Sequence, residues 1–170
     1  MRWQDLDQEP CSMARTLAVI GDRWTLLILR DCFLGVRRFE RFQERLGVTR
    51  HVLSDRLRKL VAAGVLEKRA YQERPLREEY RLTAMGLELH PAIIHLVQWG
   101  DRWLSDDHGA PLQHIHRGHG HRFQAQLTCA DCGEVVGPRD VTVAANPALA
   151  QRLELPDEGR SPDTAWRQGG

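Results

Sequence analysis

The spacing of hydrophobic residues in the first third of the chain predicts short amphipathic helices. Residues 12–34 are interpreted as two helices, the second beginning near Asp22, because Gly21 interrupts an otherwise apolar stretch. A third helix is expected to end at Gly47. Its apolar residues follow the spacing i, i+3 and i+7, and they are Phe39, Phe42 and Leu46.

The fourth predicted helix runs from Thr49, its N-cap, to about Ala63 and separates apolar from polar side chains. Its core stripe consists of Val52, Leu53, Leu57, Leu60 and Val61. The opposite face is polar and basic, and it carries Arg50, His51, Ser54, Asp55, Arg58 and Lys59. The pattern therefore predicts two helices joined by a tight glycine turn, the second with a basic outer face.

After the fourth helix the pattern favours a β-hairpin followed by more helix. Strands are expected over residues 65–71 and 79–83, and residues 72–77 are expected to form a basic tip between them. Pro91 either begins a fresh helix or kinks an existing one. Residues 89–104 carry more apolar side chains than one small core would bury, so a partner helix is expected to cover them.

The composition changes after the last predicted helix and divides the 170 residues. Residues 1–105 are predicted to form a mainly α (α+β) domain, residues 106–145 a small module rich in His and Cys, and residues 146–170 a disordered tail. No apolar run approaches the ~18 residues that a membrane span requires, so we expect a cytoplasmic protein with no membrane partner. The few, unevenly placed cysteines are expected to be reduced thiols.

The net charge is only +1, but the charges are unevenly distributed. The first 102 residues hold 18 Lys and Arg against 14 Asp and Glu, whereas the remaining residues hold 6 against 9. Within residues 36–59, eight basic side chains stand against three acidic ones. Such clustering is typical of a phosphate-binding surface, and a solvated helical face is the alternative interpretation.

The order helix, glycine turn, helix and hairpin is that of a winged helix-turn-helix, whose second helix enters the major groove of double-stranded DNA. Thr49 and the backbone N–H groups at the helix start are suited to hold a phosphate. The side chains expected to reach base edges are Arg50, His51, Ser54 and Arg58. Phosphate contacts that set the register without reading sequence are expected from Arg37, Arg38, Arg41, Arg74 and Arg77.

Three stretches within roughly residues 11–105 resemble the HxlR-type winged-helix transcriptional regulators. They are SMARTLAVIGDRWTLLILRD, LGVRRFERFQERLGVTRHVLSDRLRKLVAAGVLEKRAY and EYRLTAMGLELHPAIIHLVQWG. The resemblance implies a homodimeric cytoplasmic DNA-binding regulator, commonly a repressor, whose dimer is built from the first helix and the long helix before the C-terminus. It also implies a near-palindromic operator with two half-sites one helical turn apart.

The resemblance also draws attention to Cys11, because the family often has a cysteine there and some members sense electrophiles or oxidants with it. Thiols near a helix N-terminus are the more reactive ones. The residue after this cysteine is usually Pro in the family, whereas here it is Ser12, with Pro10 before the cysteine. An inert thiol is the alternative interpretation. Cys32 lies in an apolar segment and is expected to be a core residue.

Four histidines and two cysteines occur within nineteen residues of the C-terminal module, and imidazole and thiolate ligands suit zinc. Cys129 and Cys132 are expected to form one knuckle of a single structural zinc site. His119 and His121 are the candidates for the other two ligands, with His116 as the alternative. In longer members of the family a Cys-Gly-His element precedes CxxCG, and His119 stands at the position of that Cys. A flexible His-rich linker and a dithiol redox switch are the other interpretations.

Catalysis is not expected, because the chain has no HExxH or GxSxG motif, no phosphate-binding glycine loop and no dinucleotide fingerprint. No organic cofactor is predicted, and no constellation points to a particular small-molecule effector. The predicted function is a sequence-specific DNA-binding regulator, a repressor that acts as a homodimer and responds to redox state or a small molecule. The alternative is a winged-helix module that binds protein, or a metal or redox sensor with little DNA specificity.

Overall fold

The structure is a computed structural model and describes residues 3–142. The chain divides into two compact units, Met1–Gln113 and His114–Gly170. This division lies eight residues beyond the expected boundary at residue 105. The tail expected over residues 146–170 and the end of the expected module lie outside the described residues. None of the helices among residues 3–142 combines the length and the hydrophobicity that a membrane span requires.

The first unit contains the helices and the hairpin in the expected order. Its helices are a 3-10 helix (Trp3–Gln8), α1 (Ser12–Ile20), α2 (Arg23–Phe33), α3 (Phe39–Leu46), α4 (Arg50–Ala62), α5 (Ala84–Leu87) and α6 (His90–Trp103). The hairpin lies between α4 and α5 and consists of β1 (Leu66–Glu73) and β2 (Leu76–Leu82). This is a mainly α winged helix-turn-helix, which confirms the predicted fold class. Pro91 stands in the first turn of α6, so it begins a fresh helix.

The turn between α3 and α4 depends on two residues with defined backbone roles. Gly47 follows α3 in the left-handed conformation with φ of 63°, which glycine adopts without steric cost. Thr49 then caps α4, because its hydroxyl accepts a hydrogen bond of 3.4 Å from the N–H of Val52. Val48 between them is buried, so the turn is anchored to the core.

Helices α1 and α2 have different kinds of N-cap residue. Asp22 is the N-cap of α2, and one carboxylate oxygen accepts hydrogen bonds from the N–H groups of Trp24, at 3.0 Å, and Thr25, at 3.2 Å. The N-cap of α1 is Cys11, one residue before Ser12, and its side chain makes no capping hydrogen bond. The start of α1 therefore has no side-chain oxygen as its cap.

The hairpin is longer than the sequence pattern indicated. Leu66 pairs with Leu82 at its base and Glu73 with Leu76 at its end, so the connection between the strands is only two residues long. A β-bulge between Ala70 and Gln72 adjusts the register. The expected tip at 72–77 is therefore mostly strand. Polar residues there did not look like a strand because most residues of this two-stranded ribbon remain in contact with solvent.

One apolar core holds the helices and the base of the hairpin. Its fully buried members come from α2, α3, α4 and the start of β1, and they are Ile28, Leu29, Phe42, Leu53, Leu57, Leu60, Val65 and Leu66. Ile93 of α6 joins the same cluster. Since α4 contributes three of these residues, its opposite face is fixed toward solvent.

Ion pairs to one buried carboxylate link α2 to α3. The Asp31 side chain has no exposed surface, and its carboxylate lies 2.8 Å from an Arg30 guanidinium nitrogen and 3.1 Å from Nε of Arg45. Because a buried carboxylate without partners would be costly, these two cations and the carboxylate depend on each other. The ion pairs set the position of α3 relative to the rest of the unit.

Helices α6 and α1 each leave apolar side chains uncovered. On α6, Ile93 and Ile94 face the core, whereas Leu96, Trp99 and Trp103 are more than half exposed at the spacing i, i+3 and i+7. On α1, Met13 and Leu17 are also exposed. The apolar surplus expected over residues 89–104 is therefore real.

Candidate nucleic-acid interface

The outer face of α4 carries the side chains that the sequence assigned to it. Those expected to reach base edges are all exposed, and they are Arg50, His51, Ser54 and Arg58. Leu53 and Leu57, on the inner face, have no exposed surface. The helix is therefore anchored along one side and presents hydroxyl, imidazole and guanidinium groups along the other, which are donors and acceptors suited to base edges.

Arg50 is held by an aromatic ring. Its guanidinium carbon lies 4.8 Å from the ring centroid of Phe39, the first residue of α3. Within residues 3–142 no carboxylate pairs with Arg50, so its five N–H donors are not committed to an ion pair. A stacked guanidinium has fewer conformations to lose on binding, which favours a bidentate contact with guanine.

Further along α4, Asp55 pairs with the exposed cations Arg58 and Lys59. Its carboxylate lies 2.6 Å from an Arg58 nitrogen and 3.1 Å from Lys59 Nζ. Hydrogen bonds from Lys59 and Arg58 hold the pKa of the Asp55 carboxyl below its usual value of 3.8. Arg58 is therefore less available than Arg50. The spacings i, i+3 and i, i+4 could have revealed this cluster from the sequence.

Arg56 belongs to the scaffold rather than to the outer face. Its Nε lies 3.0 Å from Asp22, the residue that caps α2, and its Nη1 lies 3.4 Å from Asp55. The side chain is only 26% exposed. Arg56 thus joins α4 to the N-terminus of α2, and no sequence pattern predicted that contact because the two residues are far apart along the chain.

A second basic surface lies around the start of α3. A groove of about 480 Å³ is lined by Arg37, Arg38, Arg41 and Arg45, with Glu79 also on its wall. Of these cations, Arg45 is bound to Asp31, and Arg41 pairs with Glu44 at 2.7 Å. Arg37 and Arg38 have no ion pair among the residues described, so they are the side chains most available to a phosphate.

The hairpin is attached to this surface and carries its own cations. The N–H of Tyr80 in β2 donates to the carbonyl of Arg37 at 2.8 Å, and the guanidinium of Arg38 lies 4.5 Å from the ring centroid of Tyr71 in β1. At the far end of the hairpin, Arg74 and Arg77 are exposed and have no ion pair in the described part of the chain. The hairpin is the wing of the winged helix, and the Tyr80–Arg37 and Arg38–Tyr71 contacts join it to the loop before α3.

The two cysteines of the first unit differ in their surroundings. Burial raises the pKa of the Cys32 thiol to about 12, with a smaller contribution from the neighbouring Asp31 charge. Cys32 therefore stays protonated at neutral pH. Cys11 is half-buried at the start of α1, where Arg15 donates hydrogen bonds to the Glu9 carbonyl at 2.8 Å and to the Ser12 hydroxyl at 3.2 Å.

The second unit brings three of its histidines together. The rings of His116 and His119 are 4.8 Å apart, and that of His121 lies 5.3 Å from His116. In a separate turn, the backbone N–H groups of Cys132 and Asp131 donate hydrogen bonds to the Cys129 thiol. Both bonds lower the pKa of that thiol, and the bond from Cys132 has the larger effect. Among residues 3–142, no three His, Cys, Asp or Glu side chains are grouped closely enough to hold a metal ion.

Comparison with known proteins identifies a family that matches this chain and a relative similar to it. The profile of the HxlR-like helix-turn-helix family matches residues 19–108. The HTH-type transcriptional regulator Rv3095 of Mycobacterium tuberculosis (strain ATCC 25618 / H37Rv), itself uncharacterised, is 43% identical over 142 residues, which cover 84% of this chain and 90% of that protein. Because the first unit ends at Gln113, that similarity extends into the second unit.

Solved structures show the same architecture. PA1607, described as a candidate transcription factor, matches with a TM-score of 0.74 and 35% identity, covering 82% of this chain and 98% of that chain. The redox regulator HypR in its reduced form matches with a TM-score of 0.51 and 30% identity, covering 55% of this chain and 96% of that chain. The winged-helix assignment thus rests on sequence and structure together.

Proposed function

Because this chain belongs to the HxlR-like helix-turn-helix family of transcriptional regulators, we propose that it represses transcription as a homodimer on a near-palindromic operator. The observation that carries the proposal is the outer face of α4, where Arg50 is uncommitted to any acid of the described chain and stands beside His51 and Ser54. The proposed role of the protein is DNA binding rather than catalysis, and the protein acts in the cytoplasm.

The proposed contacts divide into two groups with different tasks. Arg50, His51, Ser54 and Arg58 read base edges in the major groove, and Thr49 holds a phosphate at the helix start. The backbone contacts that orient the protein come from Arg37, Arg38, Arg74 and Arg77. The exposure of these side chains and the attachment of the wing to the loop before α3 support this division.

The homodimer is supported by the exposed apolar stripe on α6. Leu96, Trp99 and Trp103 lie on one side of the helix and remain in solvent in a single chain, as do Met13 and Leu17 of α1. Burying several large apolar side chains provides the main driving force for association. A two-fold dimer places its two copies of α4 in successive major grooves, which requires half-sites about 10 base pairs apart.

The test is selection from a library of random-sequence DNA duplexes with the purified full chain. We expect enrichment of an inverted repeat, and fluorescence anisotropy should show that this sequence stays bound at salt concentrations that release a scrambled duplex. Binding of both duplexes should weaken linearly with salt on a log–log plot. Selection without any enriched sequence, with equal affinity for both duplexes, would favour a protein-binding winged helix instead.

We also propose that oxidation of Cys11 modulates DNA binding. Its position at the N-cap of α1, between the Glu9 and Ser12 partners of Arg15, favours this role, and HypR is described as a redox regulator. Peroxide would convert the thiol to a sulfenic acid with release of water. Operator affinity should change on peroxide treatment in the wild-type protein and in Cys32→Ser, but not in Cys11→Ser.

A further inference from the structure

Two turns of the second unit have corresponding sequences. Each has a metal-ligand residue at its first and fourth positions and a glycine at its fifth, in the segments His116-x-x-His119-Gly120 and Cys129-x-x-Cys132-Gly133. Only the second segment is recognisable as a knuckle from its residue types, because histidines do not look like the cysteines of a CxxCG motif. In the structure, corresponding backbone hydrogen bonds and a left-handed glycine close both segments.

The glycines close both turns in the same way. Gly120 has φ of 72° and Gly133 has φ of 76°, the left-handed conformation that permits an abrupt change of chain direction. The N–H of Gly120 donates to the carbonyl of His116 at 2.8 Å. The N–H of Gly133 donates to the carbonyl of Cys129 at 2.9 Å, so each glycine bonds to the residue four positions earlier.

The residues that flank the turns are paired equivalently. The N–H of His116 donates to the carbonyl of His121, and that of Cys129 donates to the carbonyl of Glu134, each at 2.9 Å. One step further out, the two pairs are Phe123 N–H to His114 O at 2.7 Å and Val136 N–H to Leu127 O at 2.9 Å. Each turn is therefore the end of a minimal antiparallel hairpin.

This geometry distinguishes among the three clustered histidines. In the cysteine turn the ligand candidates are the first and fourth residues, Cys129 and Cys132. The same positions in the histidine turn are His116 and His119, whose rings are 4.8 Å apart. His121 occupies the position of Glu134, beyond the glycine. The equivalence of the turns thus favours His116 over His121.

The Nδ1 atoms of His116 and His121 also differ in their hydrogen-bond partners. Nδ1 of His116 is buried and has no hydrogen-bond partner in the part of the chain that the structure describes. Its imidazole folds back over Gly118, where an added Cβ would lie 3.4 Å from Cε1. By contrast, Nδ1 of His121 lies 3.0 Å from the Arg122 carbonyl. A buried nitrogen without a partner is costly, and a metal ligand bond would satisfy the ring.

We propose that His116, His119, Cys129 and Cys132 bind one Zn²⁺ in a tetrahedral site, with each turn supplying two ligands. The two pairs are separate in this structure, and metal binding draws the turns together with release of the two thiol protons to solvent. Only nine residues lie between His119 and Cys129, so the loop that closes is short. No whole residue among 114–142 is classed as buried, so apolar burial contributes little to this segment and the metal supplies its main folding energy.

The experiment compares His116→Ala with His121→Ala in the full-length protein. Zinc content is measured by elemental analysis after dialysis, and Co²⁺ is titrated as a spectroscopic probe of tetrahedral geometry and of thiolate ligands. We expect one metal per chain in the wild type and in His121→Ala. His116→Ala should bind Co²⁺ more weakly by more than the roughly 10- to 100-fold typical of losing an outer hydrogen-bond partner.

A rescue variant separates ligand loss from misfolding. His116→Cys should restore binding and strengthen the sulfur-to-cobalt charge-transfer absorption, because a third thiolate replaces an imidazole. The proposal is overturned if the wild type retains no metal, if His121→Ala loses it while His116→Ala keeps it, or if both variants lose it. It is also overturned if His116→Cys binds no better than His116→Ala.

Discussion

The two units of this protein differ in what holds their backbones in place. In the winged-helix unit, Leu53, Leu57 and Phe42 have no exposed surface and belong to one continuous core. In the second unit, Leu127 and Val135 are more than half exposed, and no residue among 114–142 is fully buried. The first unit is therefore specified by burial, and the described part of the second by local hydrogen bonds. We therefore expect a bound ligand to stabilise the second unit more than the first.

Removal of metal should produce the largest difference between the two units. Chelation takes away the proposed zinc from the second unit and leaves the apolar core of the first unit intact. Limited proteolysis followed by mass spectrometry should then show new cleavage within residues 114–142, while residues 12–104 remain resistant. Unchanged cleavage of the second unit on chelation would show that the two units do not differ in this way.

Loss of a core side chain should have the opposite effect and destabilise the first unit rather than the second. Leu57→Ala leaves a cavity between α4 and its neighbours, and we expect the first unit to lose about 2–5 kcal/mol of unfolding free energy. Urea denaturation followed by circular dichroism measures this loss. Leu127→Ala, at a residue that is 60% exposed, is the matched control and should change stability by at most about 0.5 kcal/mol. Equal effects of the two substitutions would refute the comparison.

Within the winged-helix unit, the two proposed groups of DNA contacts can be separated by substitution. Arg50→Ala should weaken operator binding by about 1–3 kcal/mol and relax the preference at one base, whereas Arg74→Ala should weaken all sequences alike and flatten the salt dependence. Anisotropy titrations on operator and scrambled DNA measure both effects. Arg139→Ala removes the same charge from the second unit and serves as the control. If Arg50→Ala weakened both duplexes equally, the division of roles would be wrong.

The smallest effect is expected from the ion pairs of Asp55. Its hydrogen bonds from Lys59 and Arg58 lower its pKa, so its stabilising contribution is complete above about pH 3.8 and is lost only as the pH falls through the lower value of the folded state. Asp55→Asn should therefore cost about 0.2–1 kcal/mol at pH 7 and nothing at low pH. Urea midpoints measure the difference, and Glu88→Gln is the control. A difference that persisted at low pH would contradict this account.

Much of the first unit followed from local sequence signals. Gly47 and Thr49 mark the end of α3 and the start of α4 because a left-handed glycine and a hydroxyl cap act within a few residues. The exposed face of α4 followed from helical periodicity. The hairpin length did not, since polar residues such as Glu73 and Arg77 lie in strands that pair only with each other.

The contacts that shape the interface were less accessible from sequence. The stacking of Arg50 on Phe39, the attachment of Arg38 to Tyr71 and the pairing of Arg45 with Asp31 each join residues from different elements. Their partners depend on how those elements pack. The histidine turn was missed for a related reason, because its likeness to the cysteine turn lies in backbone hydrogen bonds and not in residue type.

The sequence by itself therefore determined the order of the helices, the winged helix-turn-helix class and the basic outer face of α4. Periodicity and capping specify these features because both operate over one or two helical turns. The tertiary structure decided which cations are free, since Arg56 and Arg45 are bound to acids on other helices while Arg50 is not. It also decided which histidines correspond to the cysteine pair. Such choices depend on distances between segments that only the packed chain brings together.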